Sequence, residues 1–195
     1  MIAKAENTPL DKVQVLQRNL YLAAKTNPKR KFGVLYDKLC REDVLHAAYA
    51  QVRANKGAPG IDQQSFELIE KEVGVGTFLS NLRAKLVAKR YKPLPVRRVY
   101  IPKADGTQRP LGIPVIADRV VQAAVKIVIE PLFEAVFKDF SYGFRPRKSA
   151  HQALREVYKW LNFKCHWVVD ADLKSYFDPS SYCPQTHEVV ANSAG

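Results

Sequence analysis

The sequence predicts an α+β protein: a set of helices, a basic β-hairpin, and one short strand with carboxylates at its end. Three patterns predict it. Apolar residues recur at helical spacing in successive stretches before residue 93. Asp105-Gly106 lies between two strand-like runs, and Asp-Gly readily adopts the positive φ of a hairpin turn. His166 to Leu173 is a short apolar run that ends in acid. A basic hairpin and a strand-borne carboxylate are what metal-dependent phosphoryl transfer on nucleic acid requires.

Composition narrows the classes. The 195 residues suffice for one large domain or two small ones with a buried core. Lys and Arg number 31 against 19 Asp and Glu, a formal net charge of +12. That excess favours a polyanionic partner, either nucleic acid or an acidic membrane surface. No run of 18 apolar residues occurs, so no membrane span is expected, and no membrane is counted among the expected partners. Cys40, Cys165 and Cys183 are odd in number and widely spaced, which fits reduced thiols and a cytoplasmic location. Cys165, His166, Cys183 and His187 match none of the paired zinc spacings.

Leu10, Val13, Leu16, Leu20 and Ala24 define a first amphipathic helix, broken by the basic run Asn27-Pro28-Lys29-Arg30-Lys31. A second helix is predicted from about Arg41 to Ala54, with Val44, Leu45, Ala48 and Val52 on one side and Tyr49 in the core. Lys56-Gly57-Ala58-Pro59-Gly60-Ile61-Asp62 follows. Two glycines and a proline specify a tight loop, either a plain connector or a loop that lays its amides and Lys56 on a phosphate backbone. Asp62 is placed to cap a helix from Gln63 to about Val73. Gly74 to Gly76 reads as a turn, since no third glycine completes a dinucleotide fingerprint. The helix expected from Thr77 to Arg90 turns Leu79, Leu82, Leu86 and Val87 inward and ends before Pro93 and Pro95.

Val96 to Pro102 alternates as a strand, with Val99 and Ile101 on one face and Arg98 and Tyr100 on the other. Ala104 to Thr107 makes the turn and Arg109 to Ile113 the return strand, with Pro110 and Pro114 favouring an edge. Lys85, Lys89, Arg90, Lys92, Arg97, Arg98, Lys103, Arg109 and Arg119 crowd this region, opposed only by Asp105 and Asp118. The charge suits a grip on phosphates, or a sheet edge protected from aggregation.

Ala117 to Ile129 is expected as a helix, interrupted by Pro131, with a second short helix through Phe137. Ser141-Tyr142-Gly143-Phe144-Arg145-Pro146-Arg147 interleaves aromatics with arginines, for stacking on bases and pairing with phosphates or for anchoring the loop. Ser149 and Gln152 have capping-box spacing, which starts a helix running to about Leu161. His166 to Leu173 reads as a central strand. Asp170 and Asp172, two apart, share one of its faces and offer the hard oxygens that Mg²⁺ prefers, or else cap a helix.

Six of these segments occur in an order that resembles a group II intron-encoded reverse transcriptase/maturase. They are Lys56 to Asp62, Arg97 to Lys103, Arg109 to Pro114, Asp118 to Gln122, Ser141 to Pro146 and Asp172-Leu173-Lys174-Ser175-Tyr176-Phe177-Asp178. The resemblance covers roughly residues 10 to 178 and implies a right-hand polymerase, of which this chain holds the fingers and the first strand of an incomplete palm. It implies a helical N-terminal extension and fingers over 1–93, the fingers hairpin and helices over 94–163, and the first palm strand over 164–178. Residues 179–195 are expected to be a divergent, disordered tail. The resemblance further implies Asp172 as a catalytic, Mg²⁺-binding residue and Leu173 as a carbonyl ligand. Lys103 and Arg109 would grip the triphosphate of a deoxynucleoside triphosphate, and Phe177 would gate against a 2′-hydroxyl. Lys56, Gly57, Gly60, Arg97, Arg98, Arg145 and Arg147 are the expected RNA contacts. The partners would be template and intron RNA and a DNA primer, in RNA-directed DNA synthesis tied to intron splicing and mobility.

The sequence also departs from the family: its residues after Asp178 do not resemble the family's continuation, and thumb and maturase regions are missing. The family's second catalytic element is Tyr-x-Asp-Asp, and no Asp-Asp pair occurs here. The expectation is a truncated or frame-shifted product, inactive on its own and self-associating through an uncovered apolar sheet face. The alternative is a non-catalytic remnant that recognises structured intron RNA.

Overall fold

The computed structural model describes residues 9–102, 104, 106, 108–163, 165, 167–171 and 189–193. The chain divides into two compact units, Met1–Phe137 and Lys138–Gly195. The division falls inside the segment 94–163 that the sequence reading kept as one piece.

In the first unit, three helices form the centre of the core, joined by apolar residues of the shorter elements. α1 (Pro9–Thr26), α3 (Glu42–Ala54) and α6 (Ile116–Val136) pack against one another. Val13, Leu16, Leu20 and Ala24 of α1 are buried at the predicted spacing, as are Val44, Leu45, Ala48, Tyr49 and Val52 of α3. Burying a side chain such as Leu45 or Ile116 fully contributes about 1.5–3 kcal/mol. Between α1 and α3 lies a single turn that periodicity did not reveal, α2 (Tyr36–Leu39), whose Tyr36 hydroxyl donates to the Leu86 carbonyl at 2.7 Å.

The predicted helix at Gln63 starts later. Gln63 sits at φ +56°, which turns the chain aside, so Asp62 accepts from the Gln64 N–H at 3.2 Å in a local turn. Ser65 makes the cap instead, accepting from the Leu68 N–H and opening α4 (Phe66–Leu68). The helix widens into a π-turn over Ile69–Val73, where the Gly74 N–H reaches back to the Ile69 carbonyl at 2.8 Å. Gly74, at φ +79°, then leads directly into α5 (Val75–Val87), two residues earlier than the sequence suggests. Leu79, Leu82 and Leu86 face inward, but Val87 is 57% exposed, one position past the buried stripe. The two prolines do not stop α5. Lys89 at φ +54° does, its N–H bonding the Leu86 carbonyl while the Arg90 N–H bonds that of Lys85.

Pro131 does not end α6. It is buried within one continuous helix. Proline lacks the N–H that would satisfy the Ile127 carbonyl four residues back. The Gln17 side-chain amide on α1 donates to that carbonyl at 3.2 Å.

In the second unit, Ser149 and Gln152 form the full capping box and start α7 (Ala150–Asn162). No residue of α7 is buried, and its Leu154, Val157 and Leu161 are at least half exposed. The short strand β3 (Trp167–Ala171) pairs antiparallel with β4 (Val189–Ser193), Val169 opposite Ala191. Read as central, β3 has a partner on one side only among the described residues, and that partner lies in the segment expected to be a disordered tail. No described helix is long and apolar enough to cross a membrane.

Candidate nucleic-acid interface

Two antiparallel strands form the basic hairpin, β1 (Arg97–Pro102) and β2 (Gln108–Ile113). Register sets which arginines act together. Ile101 faces Arg109, Val99 faces Leu111 and Arg97 faces Ile113. Residues opposite one another share a face, so Arg97 and Arg109 stand on one side of the ribbon and Arg98 and Tyr100 on the other. Both sides meet solvent: Tyr100 is 55% exposed and Ile101 44%. Arg98 and Arg109 are exposed, and Gly106 takes the turn at φ +81°. Lys103 lies outside the described residues.

The hairpin is held at its base by the side chains of Tyr91, Asp118 and Arg119. Asp118, 5% exposed in the first turn of α6, accepts from the Tyr91 hydroxyl and from the Leu94 N–H at 3.1 Å. Burial, and then the Asp118 carboxylate, push the Tyr91 phenol upward, so it stays protonated and donating. Those two bonds fix the segment leading into β1. Its neighbour Arg119 fixes the segment leading out of β2, with Nε donating to the Pro114 carbonyl at 3.0 Å. Burial pulls the Arg119 guanidinium below its usual range, against the opposing pull of Asp62.

Arg119 also reaches the Lys56 to Asp62 loop, where Nη2 donates to the Ala58 carbonyl. Arg97 reaches the same loop, its Nε donating to the Pro59 carbonyl at 3.1 Å. The two glycines serve this docking. A Cβ on Gly57 would meet the Arg119 guanidinium, and one on Gly60 would come within 2.6 Å of the Val115 backbone. The close approach for which these glycines were singled out is therefore made to the chain itself. Arg97, taken as an RNA contact, spends one donor on the loop. Lys56, at φ +47°, is exposed.

In the second unit, Arg145 is turned onto its own loop. Its Nη1 donates to the Lys138 and Ser141 carbonyls, both at 2.7 Å. Lys148 bonds the Asp139 carbonyl and lies 5.0 Å from the Tyr142 ring centre. The loop thereby projects Phe144, fully exposed at φ +54°, and an exposed Arg147 at φ +62°. Arg145 builds this loop, while Phe144 and Arg147 are its outward groups. Asp170 is exposed on β3, and Asp172, Leu173 and Phe177 lie outside the described residues. Among the described residues no group of three or more His, Cys, Asp or Glu is placed to hold a metal ion. The donor types at Asp172 and Leu173, carboxylate and carbonyl oxygen, suit a hard divalent cation in kind.

Residues 101–179 match the family model for reverse transcriptase (RNA-dependent DNA polymerase). The match starts in β1 and runs past Asp172. Over residues 101–179 the chain carries a reverse transcriptase match, and its relatives include group II intron-encoded proteins. It is 36% identical over 158 residues to the group II intron-encoded protein LtrA of Lactococcus lactis, covering 80% of this chain and 25% of that one. It is 39% identical over 172 residues to protein YkfC of Escherichia coli, covering 85% of this chain and 45% of the other. An uncharacterized 91 kDa protein in a cob intron of Schizosaccharomyces pombe is 32% identical over 84% of this chain and 18% of its own length. The chain thus spans less than half of each of these relatives. Mixed helices with small antiparallel sheets fit a reverse transcriptase-like domain.

Proposed function

We propose that these residues supply the fingers and the first palm strand of an RNA-directed DNA polymerase that acts with group II intron RNA in splicing and mobility. The observation that carries this reading is the reverse transcriptase match over residues 101–179, which begins in a hairpin with exposed arginines on both faces. Arg98 on one face and Arg109 on the other would meet phosphates, with Arg109 and Lys103 taking the triphosphate of an incoming deoxynucleotide. Phe144 would stack on an unpaired base beside Arg147. Lys56, Gly57 and Gly60 would present a loop to template RNA, set in place by Arg97 and Arg119.

Asp172 and the Leu173 carbonyl would hold Mg²⁺, which in such a site offsets charge on the triphosphate and activates the primer's 3′-oxygen. Phe177 would exclude ribonucleotides. One carboxylate cannot hold two ions, so the 195 residues, which contain no Asp-Asp pair, would need a second carboxylate-bearing palm element. The apolar groups left exposed on α7 and β3, Leu154, Val157, Trp167 and Val169 among them, support docking of that element, or self-association in its absence.

Filter binding of a group II intron RNA across a salt series tests the RNA half of the proposal. Arg98→Ala and Arg109→Ala should each lower the salt slope by about 1. Slopes unchanged in both variants would remove the hairpin from the interface.

A further inference from the structure

The first unit carries a groove that the nucleic-acid reading does not use. α1 and the segment from Arg30 to Leu35 enclose about 770 Å³. Its floor includes the buried Leu16 and Leu20 of α1. Its banks are Val15 and Val34, respectively 57% and 63% exposed, two large aliphatic side chains facing solvent. Lys12, Lys31 and Lys38 line it, and among the described residues no Asp or Glu does. Among the described residues, none of these three lysines has an ion-pair partner.

We propose that this groove docks a protein partner, through an acidic amphipathic helix whose apolar side chains enter between Val15 and Val34 and whose carboxylates meet Lys12, Lys31 and Lys38. Charge complementarity sets the sign of the occupant, since three lysines with no ion-pair partner among the described residues line an aliphatic trough. The lining sets its class. Unpaired bases bind by stacking on aromatic planes. Phe32 is the one aromatic side chain lining the groove, and the Arg30 guanidinium already lies over its ring at 5.3 Å. Aliphatic walls are what apolar anchors at i, i+3, i+4 and i+7 fill in helix-in-groove recognition. The site shares no residue with the hairpin, so it stands or falls apart from the nucleic-acid reading.

The test uses the full 195-residue chain and three fluorescein-labelled peptides in polarisation titrations. One has leucine at helical anchor spacing with glutamate elsewhere, one carries lysine in place of each glutamate, and one has the acidic composition scrambled. Val15→Asp and Val34→Asp change exposed positions, and circular dichroism checks that both variants keep the native fold. The acidic amphipathic peptide should bind, the other two should not, and each variant should weaken binding roughly tenfold or more. Failure of the acidic peptide to bind, equal binding of the scrambled peptide, or binding indifferent to both variants would each overturn the proposal. So would single-stranded RNA displacing the peptide from wild type and losing affinity itself in Val15→Asp, which would assign the groove to nucleic acid.

Discussion

The Leu94 N–H donates to the Asp118 carboxylate at 3.1 Å, tying the segment that enters the basic hairpin to the first turn of α6. The carboxylate is buried and also accepts from the Tyr91 hydroxyl. The helix N-terminus favours its negative charge. Asp118→Ala would leave two donors without an acceptor, so we expect a loss of about 2–4 kcal/mol. Tyr91→Phe removes one donor and keeps the acceptor satisfied by Leu94, so it should cost only about 1 kcal/mol. Urea unfolding of both variants measures the difference. Equal costs would mean that the buried carboxylate does not organise this junction.

Gln17 and Pro131 should be energetically coupled. The Gln17 amide satisfies the Ile127 carbonyl only because Pro131 has no N–H to offer it. Gln17→Ala should therefore cost about 1 kcal/mol in the native background. In a Pro131→Ala background the helix satisfies its own carbonyl, and the same change should cost measurably less. A double-mutant cycle by denaturant unfolding reads the coupling directly. A cycle that closes to zero would separate the two residues.

Stability should fall in acid partly through Asp43. Its carboxylate accepts from Arg41 Nε at 2.9 Å and from Arg41 Nη2 at 2.5 Å, and this bonding holds its pKa below the usual carboxylate range. A depressed native pKa means that the unfolded chain takes up the proton first as pH drops. The contribution is present above the unfolded value of about 3.9 and is lost as pH falls through the native one. Asp43→Asn should thus lower the Tm at pH 7, and the gap from wild type should narrow below about pH 4. Thermal melts from pH 7 to pH 3 follow it. A gap that stays constant would show that this carboxylate is not perturbed.

Much of the fold could be read from spacing. Val13, Leu16 and Leu20, or Leu79, Leu82 and Leu86, repeat at intervals that place them on one side of a helix, and all six are buried. The capping box of Ser149 and Gln152 is a local pattern whose partners lie three residues apart, so it was visible in the sequence. What escaped depends on contacts between distant residues. Pro131 reads as a break until Gln17, on another helix, is known to serve Ile127. Gly57 and Gly60 read as a plain connector or as a close approach to phosphate, and the Arg119 and Val115 atoms that lie against them could not be foreseen. Asp118 reads as one more acid among basic residues, because nothing in its neighbourhood announces that Tyr91 and Leu94 converge on it. At the candidate site, the exposed arginines of the hairpin were legible from strand alternation. The structural duties of Arg97 and Arg145 were not: Arg97 serves the Pro59 carbonyl of a distant loop, and Arg145 folds back onto the Lys138 and Ser141 carbonyls of its own.

The most direct measurement is primer extension on an RNA template with Mg²⁺ and deoxynucleoside triphosphates. The purified 195-residue chain would be assayed alone and with the separately expressed Tyr-x-Asp-Asp palm and thumb of an intron-encoded relative. The account predicts no extension by the chain alone and extension when the two parts are mixed, abolished by Asp172→Asn. Robust extension by the chain alone, or rescue that survives Asp172→Asn, would contradict it.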